Sequence, residues 1–161
     1  MSDAAEANVA LLLHLLGAFM LAAGTVVMGL AFEAARRRRR AGEILLLLGL
    51  TRVGVILVGV GSAVVLPFGL WLVHIDHVGY GTTWVDGAFG LLVVVAALGG
   101  AGGQITKRAR SLALQLGRDA EESPELRELL DDRGARGLNY AAILIVVAVV
   151  ALMVFRPGGH G

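Results

Sequence analysis

The chain has 161 residues, of which 57% are hydrophobic, and carries a net charge of +1 with no cysteine. A soluble domain of this size has too much surface to hide that many apolar side chains, so an apolar solvent must cover its outside. Disulfides, thiolate metal sites and cysteine nucleophiles are excluded, and the charge gives no basis for nucleic-acid binding.

The apolar residues lie in long blocks with the charges between them. A helix needs about 20 such residues to cross about 30 Å of hydrocarbon, whereas a transmembrane barrel needs short alternating segments, which are absent. The first block runs without a charge from Val9 to Phe32. Asp3 and Glu6 precede it and no Lys or Arg does, so it reads as a retained span rather than a signal peptide. The second apolar run, Ile44–Val73, is longer than one crossing needs and contains Arg52 and Pro67. Burying an unpaired Arg is costly, which favours a crossing at about 52–74 with residues 41–51 as a helical extension at the inner surface. The competing crossing, 44–66, buries Arg52 and ends at Pro67. A third span is expected at about 84–103 and a fourth at 139–155. The whole chain, 1–161, then forms one integral membrane domain.

Between spans three and four, residues 104–137 read as a helical cytoplasmic loop. Gln104–Leu116 continues the third helix. Ser123-Pro124-Glu125 has the order of a helix start: N-cap, proline at the first position, then an acid near the positive dipole end. Leu126, Leu129 and Leu130 give that helix one apolar face, and Gly134 is expected to end it. Seven acids and seven bases balance in the loop, which suits a self-packing or lipid-lying hairpin. Gly59/Ala63 and Gly99/Gly103 have the small-xxx-small spacing of close helix packing.

Charge sets the orientation. Twelve basic residues lie in the two loops at one end, Arg36–Arg40 and those from Lys107 to Arg136, against Arg156 alone at the other. By the positive-inside rule both termini are external and the membrane is the bacterial inner membrane. The fold class expected is all-α, a four-helix transmembrane bundle, N-out and C-out. Trp71, Tyr80 and Trp84 fit an outer interfacial belt.

Polar side chains within the spans are few. His14 lies about 8 Å below the outer boundary by helical rise, among leucines, and must turn into the bundle to find a partner. It is either a haem or metal ligand or a histidine hydrogen-bonded to a neighbouring helix. His74 and His77 form His-Ile-Asp-His at the outer end of the second span, where positions three apart share a helical face. Asp76 and Asp86 fall on the same side. His14 and His74 are the candidate haem b ligands, although His14 lies about one turn deeper. His77 and Asp76 join them as candidate ligands for copper or zinc. The acids and His77 equally suit helix ends in a wet loop. Thr25, Thr51 and Ser62 are the only hydroxyls well inside the apolar runs, too few for a hydrophilic pathway.

The run His14-Leu-Leu-Gly17 with Gly24, the Arg-rich segment after it, Pro67-Phe-Gly-Leu-Trp71-Leu, and Leu138-Asn-Tyr-Ala-Ala through Leu152-Met-Val-Phe-Arg-Pro157 resemble a family of bacterial four-helix integral membrane proteins with no assigned activity. The resemblance covers nearly the whole chain. More loosely, the opening His-x-x-Gly with a later Gly is similar to the first helix of the copper-resistance D family and of HemJ-type protoporphyrinogen oxidases. The latter resemblance implies a haem-binding role for His14. The Trp-x-Gly-Gly usual there is replaced by Ala22-Ala23-Gly24, which puts the oxidase activity in doubt. The alternatives at this point are a haem or redox module, a metal-handling protein, and a non-catalytic protein that binds no cofactor. The last would partner the lipid bilayer, another membrane protein or a second copy of itself.

Overall fold

The computed structural model describes residues 3–75, 83–117 and 120–155, except for the side chains of residues 3, 96 and 99–102. The described chain is all-α: α1 (Asp3–Arg36), α2 (Ala41–Ile75), α3 (Thr83–Leu116), α4 (Pro124–Asp131) and α5 (Arg133–Phe155). Length and composition suit a membrane crossing in α1, in α2 and in the stretch Pro124–Phe155, and α3 carries a shorter apolar stretch, Thr83–Val95. The third helix does continue past its apolar part, to Leu116. Gly117 follows it at φ 88°, the left-handed conformation with which many helices stop.

The four long helices form a bundle in which α1 packs most extensively against α2, and α3 against α5. One buried cluster draws a residue from each of them: Leu21, Val65, Val95 and Val146. The outside of this region is apolar. Phe19 is 73% exposed, Leu144 68% and Val154 69%, an arrangement that water would not tolerate in one small domain.

A second cluster lies at the Arg-rich end, where Phe32, Ala35, Ile44, Leu48, Ala109, Ala113, Leu126, Leu130 and Ala135 come together. The largest fully buried side chains are all here: Ile44, Leu48, Leu126 and Leu130. α4 therefore packs on the chain itself rather than standing free. Its start follows from local chemistry, for Ser123 Oγ accepts the Leu126 N–H at 3.1 Å and Pro124 opens the helix. Its end differs from expectation. Asp132, not Gly134, marks the break, because its carboxylate accepts the Gly134 N–H at 2.7 Å and begins α5 one residue later.

Polar bonds tie this layer to the α1–α2 connection. Ala41 N donates to Ala120 O at 3.0 Å and Glu122 N donates to Arg39 O at 2.8 Å. Arg127 donates to the carbonyls of Arg36 and Arg38 and to the Glu122 carboxylate. A cation thus satisfies carbonyls that the end of α1 leaves open, where the helix dipole is negative. Arg36 reaches Asp131 at 2.9 Å and Glu33 at 2.8 Å.

The glycines that bring the helices together are not those the four-residue spacing suggests. Gly59 and Ala63 are exposed, and a Cβ at Gly59 or Gly103 would meet nothing within 4 Å. The side chain of residue 99 lies outside the described set. The close approach is between α1 and α2, on a repeat of seven: Ala10, Gly17, Gly24 and Ala31 are buried along α1, and Gly54 and Gly61 along α2. A Cβ at Gly17 would stand 2.7 Å from Val65 N, and one at Gly61 2.6 Å from Leu21 N. The backbones themselves form this seam, as small residues permit between membrane helices.

Candidate functional site

His14 belongs to the seam. It is half-buried and shares a helical stripe with Leu21, Met28 and Ala35, also seven residues apart. Its Nδ1 donates to the carbonyl of Val65 on α2 at 3.0 Å. A carbonyl only accepts, so Nδ1 carries the hydrogen, and in a neutral ring the lone pair then lies on Nε2. Space for the ring comes from Gly69, one turn beyond Val65. A Cβ there would stand 2.9 Å from His14 Cε1. Pro67, which lies between them, removes one backbone donor from this turn of α2.

His74 is not drawn into this arrangement. It is exposed at the end of α2, five residues past Gly69. At about 100° and 1.5 Å per residue, that places it about 140° around the helix and about 7.5 Å further along. His14 and His74 therefore face different directions at different heights. Asp76 and His77 lie outside the described residues. Asp86 is exposed in the first turn of α3, where an acid complements the helix dipole. Among the described residues no three of His, Cys, Asp and Glu gather as a metal site would require. Phe68 and Trp71 stack with centroids 6.2 Å apart, and Trp71 is half exposed, as suits a residue at a lipid–water boundary.

Thr25 and Thr51, unlike His14, spend their hydroxyl hydrogens within their own helices. Thr25 donates to Leu21 O at 2.8 Å and Thr51 to Leu48 O at 2.6 Å, and both are buried. The sequence reading passed over Arg127 and Gly69. Each matters through a partner more than 50 residues away, and no local spacing signals either. The seven-residue run of small residues in α1 was passed over as well, in favour of pairs four residues apart.

Residues 8–157 match the family described as "Predicted integral membrane protein (DUF2269)". The chain belongs to that family. Membership agrees with the lipid-facing surface of the bundle, and it covers the seam, His14 and the Arg-rich layer alike. No curated protein and no solved structure matches the chain. The looser likeness to the copper-resistance D and HemJ-type groups thus gains nothing from the comparisons. The family's description names no reaction, so chemistry has to be argued from the residues.

Proposed function

We propose that this DUF2269 protein is a multi-pass protein of the bacterial inner membrane whose His14 binds a haem b or a copper or zinc ion through Nε2, in the outer leaflet. The observation that carries this reading is the Nδ1–H bond to the Val65 carbonyl. Ligating histidines generally donate their second ring nitrogen in this way, which fixes the tautomer and the ring plane and leaves Nε2 free to bind. The fit is to one histidine. His74 stands at a different height and direction on α2, so this reading takes a second ligand from elsewhere. The bound group would supply redox or Lewis-acid chemistry. The residues of this chain would hold its ligand in place and keep water away.

The test is spectroscopic. Protein purified from cells supplied with haem and metals should show a Soret band, or bound copper or zinc without one. His14→Ala should lose the group while the protein stays folded in detergent. His74→Ala should retain it.

A second reading is favoured by the completeness of the His14 bond. With Nδ1 satisfied and the ring cradled by Gly69, His14 needs no ligand to account for it. The protein is then a non-catalytic partner of lipids or of other membrane proteins, and the wild type carries no cofactor under any supply.

A further inference from the structure

A second polar site lies away from His14, where the two buried clusters meet. A cavity of about 70 Å³ is bounded there by all four long helices. Most of its wall is apolar: Met28, Phe32, Val58, Val95 and Leu98 among others. Four polar side chains interrupt it: Thr25, Thr51, Thr106 and Asn139.

The hydrogens of two of these hydroxyls are committed. Thr25 and Thr51 donate to carbonyls of their own helices, so each turns only lone pairs toward the cavity. Asn139 sits against Gly29 of α1, so closely that a Cβ on Gly29 would stand 2.9 Å from its Nδ2. Among the described residues its amide has no hydrogen-bond partner. An amide left unbonded between membrane helices is costly. The two committed hydroxyls therefore offer acceptors from α1 and α2, and the Asn139 amide offers both a donor and an acceptor from α5. The site calls for a small ligand that mainly donates and accepts a little. One water needs at least about 10–15 Å³ of such space, so two fit.

We propose that this cavity is a built site for two water molecules, which donate to Thr25 and Thr51 and bridge them to the Asn139 amide. The waters join the α1–α2 pair to α5 at the height where the lipid-facing bundle gives way to the Arg-rich layer. Sodium is the rival occupant, since it would suit the hydroxyl oxygens and Asn139 Oδ1.

Two measurements decide it. In a crystal structure from a lipid mesophase at about 2 Å resolution, two density peaks are expected within about 3.2 Å of Thr25 Oγ1, Thr51 Oγ1 and the Asn139 amide. Separately, Asn139→Leu and Thr51→Val should each lower the melting temperature in detergent by several degrees. The double variant should lose less than the sum, because both residues hold the same waters. A dry cavity gives the opposite sign, since Leu at 139 would fill space and remove an unbonded amide, and the melting temperature would rise. That rise, density without water peaks, or a melting temperature that climbs with sodium at constant ionic strength would each overturn the proposal. If Asn139→Leu does not fold, the density still decides, since Thr51→Val loses its bond to Leu48 O in a wet or a dry cavity alike.

Discussion

Arg127 joins three parts of the sequence with one side chain, bonding the end of α1, the segment after it and Glu122. Hydrogen bonds from a charged donor are each worth about 1.5–3 kcal/mol when made inside a protein. Arg127→Gln should therefore loosen the Arg-rich layer by about 2 kcal/mol, seen as faster proteolysis and amide exchange in residues 120–132 while the apolar bundle is unchanged. Equal exchange in wild type and variant would show that the bonds contribute nothing. Arg36 behaves differently with pH. Its guanidinium holds its proton above the ordinary arginine range, first through its bond to Asp131, with burial opposing and Glu33 adding. A raised pKa contributes stability that is complete below the unfolded value and is lost only as pH climbs through the folded one. For an arginine that window lies in strong alkali, so Arg36 adds no pH dependence near neutrality. The Ser123 cap was readable from sequence because its signal is local. Arg127 was not, since its partners lie 89 and 91 residues away.

Among the elements, α1 and α2 stand apart because their backbones touch. This makes Gly61 and Gly59 of α2 a controlled pair. Gly61→Ala places a Cβ 2.6 Å from Leu21 N, so the helices must separate, whereas Gly59→Ala meets nothing. The first should reduce the yield of folded protein in detergent severely. The second should hold it or raise it, because Ala exceeds Gly in helix propensity by about 1 kcal/mol. Comparable losses from both would show that the seam does not govern folding. Helix type and the helical continuation past residue 104 were legible from periodicity and caps. The packing face was not, because small residues four apart occur on every side of a Gly-rich helix. The informative period was seven, in which Ala10, Gly17, Gly24 and Ala31 answer Gly54 and Gly61.

For the molecule as a whole, the orientation proposed from charge places Glu6 outside the cell and Glu128 inside. Cysteines at these exposed positions should react with an impermeant reagent from outside at 6 and not at 128; the reverse would put His14 in the inner leaflet. Arg52 addresses depth. It is exposed on the bundle and pairs with no described acid, while Leu46 and Leu50, farther toward the Arg-rich end, are 77% and 50% exposed. An arginine near a lipid boundary extends its charge to the headgroups while its stem stays in the apolar region, which accommodates both observations. Arg52→Leu should then leave insertion and melting temperature nearly unchanged, and a large loss would reveal a buried partner. The apolar face of Leu126 and Leu130 was legible in the sequence, but nothing local showed that it would meet Ile44 and Leu48, where the largest fully buried side chains collect.

The α1–α2 hairpin is fastened unequally along its length. Residues 37–40 connect it at one end, and bonds to residues 120–122 hold that connection still. At the other end the two helices have separate ends, Asp3 on α1 and Ile75 on α2, and the His14–Val65 bond links them there. His14 therefore acts as the clasp on an open end. Without it the hairpin cannot slip as a unit, since the fixed connection forbids that, but its far turns can fray. A bond of this kind between membrane helices averages about 0.6 kcal/mol, or roughly a threefold change in opening. His14→Ala should raise amide exchange about threefold around residues 5–14 and 65–75 and leave residues 24–54 untouched. Whichever ligand His14 holds, or if it holds none, fraying confined to that end is the signature of the clasp.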